Sequence, residues 1–310
     1  MAIKVRDYEV RLTRTSEERR QVRQLRYRVY VEEEGIKATE EQKNLREEYD
    51  KFDTYAEYMA VFHDGRVVGT YRLIDRDAAE KIGGFYSEEE FNIKKLKNIR
   101  GNIIEMSRAC VAPEYRDKPL VMSLLWLGLG DYVFKKKIVL LFGMCSWVGT
   151  NPAVSAQAIS YLYYNHLAPI SLRTTVLKDS MEEKGIDPKL SRMNILPKAF
   201  VNKQMARAEM TPLMKGYLNL GATFGNGISV DIRENSYTPL VIVQTKNIKK
   251  AYQKHFTGSE NAFDELGIKP GAWKTFGKIL ISPVAGLAAI AKFFLKPEDA
   301  EAVERVPDEE

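Results

Sequence analysis

Ile103-Ile104-Glu105-Met106-Ser107-Arg108-Ala109-Cys110-Val111 places one carboxylate and one guanidinium inside a run that otherwise reads as a buried β-strand. Charges in a sheet core are costly unless they are paired or used. Glu105 and Arg108 are therefore the first candidate site residues. They lie three apart, which on a regular strand puts them on opposite faces. A half-buried carboxylate such as Glu105 can have a raised pKa and accept a proton near neutral pH. The alternative for Glu105 and Arg108 is structural, an ion pair across the sheet or with Asp50, Asp53, Arg26 or Arg72.

The flanking chain alternates strands and helices. Tyr8–Thr13 reads as an opening strand. Thr15-Ser16-Glu17-Glu18 supplies capping residues for a helix that runs to about Glu34 and stops at Gly35. Val22, Leu25 and Val29 fall on one face of it. Residues 36–54 are polar, a loop or short helix. Tyr58–Phe62 and Val67–Leu73 flank Asp64-Gly65, a hairpin signal. Residues 75–100 form an excursion with Gly83-Gly84-Phe85-Tyr86 as a turn. After the central strand come an apolar helix over Pro119–Lys137, a continuous apolar strand over Ile138–Cys145 and a helix over Ala153–His166. Residues 171–209 have weak periodicity and are a candidate insertion. Met210–Gly221 reads as a helix and Leu240–Thr245 as a late strand. This order predicts an α/β (α+β) fold, a mixed sheet with helices on both faces.

At 310 residues the chain can bury a substantial core, and 45% hydrophobic with 29% charged residues is a globular composition. The net charge of +5 suits an acidic partner or an anionic membrane surface better than extensive nucleic-acid binding. Two cysteines, Cys110 and Cys145, lie in apolar runs, which favours inert thiols in a reducing compartment over a disulfide framework. The three histidines form no metal spacing and no Ser/His/Asp order. The first twenty residues are charged and no apolar stretch of about 20 residues occurs. The expected location is the cytoplasm, at the inner face of the membrane.

Arg26 in Leu-Arg-Tyr-Arg-Val-Tyr, Asp50 and Asp53 in Tyr-Asp-Lys-Phe-Asp, and Arg72 in Val-Gly-Thr-Tyr-Arg-Leu precede the central strand. With Glu105 and Arg108 they resemble the signature shared by acyl-homoserine-lactone synthases and ornithine lipid N-acyltransferases, of the GCN5-related N-acyltransferase (GNAT) superfamily. The second half of the chain separates these two. Tyr161-Leu162-Tyr163-Tyr164-Asn165-His166-Leu167-Ala168-Pro169 and Pro212-Leu213-Met214-Lys215-Gly216-Tyr217-Leu218-Asn219-Leu220-Gly221-Ala222 resemble the ornithine lipid family, as do Gly83–Ser87 and Leu125-Trp126. The resemblance covers about residues 9–245.

The resemblance implies a GNAT fold, mostly antiparallel, with a β-bulge that brings Glu105 and Arg108 toward one cleft. It implies transfer of a fatty acyl group, often 3-hydroxyacyl, to the α-amine of an amino acid, ornithine foremost, as the first step of aminolipid synthesis. Glu105 would be the base, through water, and Arg108 its electrostatic partner. Arg26, Asp50, Asp53 and Arg72 would form a charge cluster beside the site. No permanently bound cofactor and no metal is implied. The donor would be the acyl-phosphopantetheine of acyl carrier protein, because Ala112–Pro119 lacks the glycine-rich pyrophosphate loop of coenzyme A users. Arg116 and Lys118 could meet the donor's phosphate or the carrier's acidic surface; a solvated turn is the alternative.

One departure concerns the acceptor. After Asp231 the family carries phenylalanine-asparagine-threonine-threonine-aspartate, where this chain has Glu234-Asn235-Ser236-Tyr237-Thr238. Asn235 is thus a candidate acceptor contact. Residues 1–255 form the expected acyltransferase domain. Residues 256–310 form an amphipathic tail in which Trp273, Phe276, Leu280 and Phe293 stand among Lys274, Lys278 and Lys292, which suits an anionic membrane surface. Two rival functions remain: an acyl-homoserine-lactone-type signal synthase, and a non-catalytic membrane-bound lipid or carrier-protein adaptor.

Overall fold

The computed structural model describes residues 2–117, 120–248 and 303–306. β1 (Ala2–Val5) and β2 (Tyr8–Leu12) precede α1 (Ser16–Arg26), which runs directly into a π-helix (Tyr27–Glu33). Next come α2 (Glu40–Leu45), a 3-10 turn (Lys51–Thr54), and the hairpin β3 (Glu57–His63) and β4 (Arg66–Asp75). The excursion holds α3 (Arg76–Ile82), a 3-10 turn (Tyr86–Glu89), β5 (Phe91–Asn92) and α4 (Lys94–Lys97). β6 (Asn102–Val111), α5 (Leu120–Lys135), β7 (Ile138–Met144), β8 (Trp147–Val148) and α6 (Ala156–His166) follow. The last described elements are β9 (Thr175–Val176), α7 (Lys178–Glu183), α8 (Lys203–Glu209), α9 (Pro212–Asn219), β10 (Thr223–Asp231), β11 (Ser236–Gln244) and β12 (Val303–Val306).

Eleven strands lie in the order β12-β1-β2-β3-β4-β6-β7-β11-β10-β9-β5, with β8 beside β11. Among the described residues only β6–β7 and β9–β10 pair in parallel. Side chains alternate between two apolar layers, as a sheet covered on both faces requires. Met59, Val61, Leu73, Ile104, Met106, Leu141 and Val241 pack with α5, α6 and α9. Their neighbours Tyr58, Ala60 and Cys110 face Val22, Leu25 and Val29 of the first helical segment. Ile103, Phe142 and Leu240 complete that second layer with Phe85 and Leu96.

The expected starts and turns form for the expected reasons. Thr15 and Glu18 make a reciprocal capping box at the head of α1. Asp64 and Gly65 both take positive φ, 50° and 73°, the geometry of a two-residue hairpin turn. The structure departs from the sequence reading in three places. The helix predicted to run unbroken to Glu34 is α-helical only to Arg26 and then widens to π geometry. β1 and β10 went unpredicted. Val303–Val306, assigned from sequence to the tail, pairs antiparallel with β1 and extends the acyltransferase sheet. The rest of the tail, with the boundary at 255, lies outside the described residues. Residues 171–209 fold as short helices and turns, and Met181, Ile186 and Met193 enter the main core.

Two local features open the sheet at its centre. β6 and β7 pair through Glu105↔Phe142 and no further. At that point Gly143 lies so close to β6 that a Cβ on it would stand 2.1 Å from the Met106 carbonyl oxygen. Beyond it the strands diverge: β7 continues against β11, and β6 continues against β4. Opposite β4, the pairing shifts between Thr70↔Cys110 and Arg72↔Ser107, so Tyr71 faces both Arg108 and Ala109. This is a β-bulge, and Arg108 within it takes φ +51°.

Candidate active site

The bulge puts Glu105, Ser107 and Arg108 on the same side of the sheet, facing the first helical segment. There the four upstream charges converge with a fifth, Glu48. Arg26 is fully buried; it binds Glu48 and is doubly held by Asp53, at 2.6 and 3.0 Å. Arg72, also fully buried, donates to Asp50 at 2.6 Å and to the Ser107 hydroxyl at 2.9 Å. Tyr58 donates its hydroxyl to Asp53. Burial pushes the Asp53 pKa up, but Arg26 and Arg72 more than offset it and hold the carboxylate ionised, well below its usual range. The expected residues therefore meet in a largely buried, mutually paired network.

Arg108 stands at the edge of this network. Its Nη2 donates to Glu234 at 2.7 Å, and its Nη1 to the other oxygen of Glu234 and to the Tyr86 hydroxyl, each at 3.2 Å. Its Nε lies 3.3 Å from Glu48. The guanidinium sits between the rings of Tyr86 and Tyr30, 5.0 and 5.7 Å from their centroids. Tyr30 is itself fixed by donating to the Ala109 carbonyl at 2.8 Å. Glu234 owes its position to an Asx turn, in which Asp231 Oδ1 accepts the backbone N–H groups of Arg233 and Glu234. Burial raises the Glu234 pKa, but Arg108 overrides this and keeps it ionised.

Glu105 lies deeper than the sequence suggested. It is fully buried and accepts the backbone N–H groups of Tyr86 and Ser87, at 2.6 and 2.8 Å. Burial lifts its pKa to about 7, against the downward pull of these hydrogen bonds and of Arg72. Its neighbours are thus the Tyr86–Ser87 turn and Arg72. The carboxylates around Arg108 are Glu48, Asp50 and Glu234. Glu105 and Arg108 are linked through Tyr86, whose backbone binds one and whose hydroxyl binds the other.

Two cavities meet at this wall. The first, about 200 Å³, lies in the gap where β6 and β7 diverge, between Ser107, Arg108 and Ala109 on one side and Met144, Ser146 and Trp147 on the other. The second, about 420 Å³, is lined by charged residues including Glu48, Asp50, Glu90 and Asp231. Tyr86, Arg108, Glu234 and Ile36 line both. The first cavity mixes apolar side chains such as Met144, Trp147 and Leu213 with polar ones, the second is dominated by charge, and a guanidinium and a carboxylate stand between them.

The remaining expected residues have these places. Asn235 occupies the tight turn between β10 and β11 with φ +44°; it lines the first cavity, and its carbonyl accepts the Gly149 N–H at 2.7 Å. Arg116 is held by both oxygens of Glu33 and by the Val111 carbonyl, so a donor phosphate would have to displace Glu33. Lys118 lies outside the described residues. Cys110 and Cys145 are buried, and burial pushes both thiols up to about 12, which leaves no thiolate near neutral pH. Among the described residues no three His, Cys, Asp or Glu side chains are grouped to hold a metal ion. Tyr30, Glu48, Tyr86 and Glu234 were not singled out from sequence. Only the glycine pair before Tyr86 and the departure after Asp231 pointed near them.

Residues 25–126 match the acetyltransferase (GNAT) domain family. The chain is 33% identical to the L-ornithine N(alpha)-acyltransferase of Brucella abortus, over 82% of this chain and 90% of that protein. The chain belongs to the L-ornithine N(alpha)-acyltransferase family. The family's protein from Rhodobacter capsulatus is 31% identical, over 83% of this chain and 97% of its own. Among solved structures, an N-acyl amino acid synthase from uncultured soil microbes aligns over 77% of this chain and 91% of its own, at 12% identity and a TM-score of 0.42. As a member of the L-ornithine N(alpha)-acyltransferase family, the chain is an acyltransferase of aminolipid synthesis, and its GNAT fold is the mixed, mostly antiparallel sheet described above.

Proposed function

We propose that this enzyme moves a 3-hydroxy fatty acyl group from acyl carrier protein to the α-amine of an amino acid, ornithine by kinship with its relatives. The observation that carries the reading is the Tyr86–Arg108–Glu234 wall shared by the cleft between β6 and β7 and a charged chamber. The acyl-phosphopantetheine enters between β6 and β7, and the acceptor fills the chamber. The amine nitrogen attacks the thioester carbonyl carbon, the carbon–sulfur bond breaks, and the thiol leaves with a proton. The bulge leaves one residue of β6 without a cross-strand partner, and a backbone N–H there is the donor we assign to the oxyanion.

Glu105 has a pKa matched to accepting the amine's proton. Its oxygens each keep a lone pair beyond the one given to the Tyr86–Ser87 turn, so a proton relayed by water can reach it. Arg108 serves the acceptor side of the reaction. Arg116, committed to Glu33, offers the carrier an exposed ion pair to exchange. Among the described residues no helix is long and apolar enough to cross a membrane. Peripheral contact with an anionic membrane rests on the sequence of the tail alone.

The test is mass spectrometry of products from the purified protein supplied with 3-hydroxyacyl carrier protein and heavy-isotope amino acids. The expected product is N-acyl ornithine carrying the label. Equal catalytic efficiency with acyl-coenzyme A would overturn the donor, and a labelled product from another amino acid would reassign the acceptor.

A further inference from the structure

We propose that Glu234 selects a dibasic acceptor: it holds the place on Arg108 that an acceptor's carboxylate takes, and when displaced it must be met by a second ammonium. This deepens the reading above and rests on it, since it takes the acceptor to be an amino acid. Arg108 is the single guanidinium that lines both cavities among the described residues. Two planar N–H groups facing two carboxylate oxygens is how a guanidinium recognises a carboxylate, and Glu234 already fills that face. An α-carboxylate arriving at Arg108 therefore competes with Glu234. The other side of Arg108 is closed by Glu48.

Displacing Glu234 leaves a partly exposed carboxylate, 26% accessible, with the Tyr86 hydroxyl as donor but without its cation, which is unfavourable in a chamber already rich in carboxylates. A neutral amino acid brings nothing to relieve this. A dibasic one brings a side-chain ammonium that can take over Glu234, so the displaced carboxylate becomes a recognition element for the right acceptor and a penalty against the wrong one. The chamber's overall charge fits this. Six carboxylates line it, among them Asp50, Asp231 and Glu234, against four cations. Asp50 Oδ2 is buried there without a hydrogen-bond partner.

The experiment compares kcat/KM for ornithine with that for norvaline, its neutral isostere without the side-chain amine, in wild type and Glu234→Gln. Wild type should favour ornithine, and the ratio should collapse by about tenfold in Glu234→Gln, roughly the effect of one partly desolvated charge pair. The norvaline value should rise. An unchanged ratio in a folded, active Glu234→Gln overturns the proposal. Should that variant not fold, wild type decides: equal use of norvaline and ornithine overturns it. A wild type that acylates amines but no amino acid overturns the underlying acceptor reading, and the proposal with it.

Discussion

Arg26 and Arg108 belong to one charged cluster and even share Glu48, yet they occupy opposite situations. Arg26 has no exposed surface and all its contacts are internal: Glu48 on one side and both oxygens of Asp53 on the other. Arg108 is more than a partner to Glu48, because it also forms the wall between two cavities. The difference lies in the backbone. Arg26 sits at the end of α1 and points into the packed interior, while Arg108 sits in the bulge of β6 where the sheet parts. A buried ion pair in the first position specifies how the chain folds. In the second it can exchange partners with a ligand. The same residue types thus build on one side of Glu48 and act on the other.

Arg26→Met is the most damaging test of this contrast. It leaves Glu48 with Arg108 alone and Asp53 with Arg72 and the Tyr58 hydroxyl, and should cost ~3 kcal/mol of stability in urea titration. A loss near zero would erase the distinction between the two arginines. Glu105→Gln should keep the fold and lower turnover ~10²–10⁴-fold. In wild type kcat/KM should rise as the pH climbs through about 7, where Glu105 ionises, and this limb should vanish in the variant. A Glu105 that only anchors the Tyr86–Ser87 turn would lose activity equally at all pH values. Stability carries its own signature. Because the folded pKa is raised from 4.5 to about 7, the native state binds the proton more tightly. Wild-type stability should fall as pH rises across that window, by about 1.4 kcal/mol per unit, and Glu105→Gln should flatten the slope.

Gly143→Ala tests the gap itself. Its Cβ would collide with the Met106 carbonyl and force β6 and β7 apart, at a cost of ~1–3 kcal/mol, with KM for the acyl donor changing more than KM for the acceptor. Tyr86→Phe should give the smallest effect. It removes one hydroxyl from a wall that Arg108 and Glu234 still hold together, worth ~1 kcal/mol and under tenfold in kcat/KM. A larger loss would move Tyr86 from support to chemistry.

The parts of the fold legible in the sequence were those set by local pattern. The strands β3 and β4, the Asp64-Gly65 turn, the capping box at Thr15 and the apolar face of α1 all formed as expected. Arg26, Asp50, Asp53 and Arg72 also met as the family pattern implies. What stayed hidden depends on distant pairing. β10 carries Gly225, Asn226 and Gly227, which break an alternating pattern; Gly225 is needed because a Cβ there would stand 2.1 Å from the Thr174 hydroxyl. Glu48 looked like one more surface charge in a polar stretch. Nothing local tells it from Glu47, whose partners are Arg20 and Arg23 on the outer face of α1.

The π-helix at Tyr27–Glu33 works as a gear between two readings of one helix. Each of its hydrogen-bonded turns holds one residue more than an α-helical turn, the trace left when a helix gains a residue without losing its ends. Upstream, Arg26 stays indexed to the charged core. Downstream, Tyr30 reaches the Ala109 carbonyl and Glu33 reaches Arg116. Removing a single residue from this segment would restore ordinary winding and rotate everything after it, while the anchor before it stays seated. Length change here, rather than substitution, is therefore the simplest means by which an ancestor or an engineer could re-cut the mouth of the cleft between β6 and β7 and leave the folding core untouched.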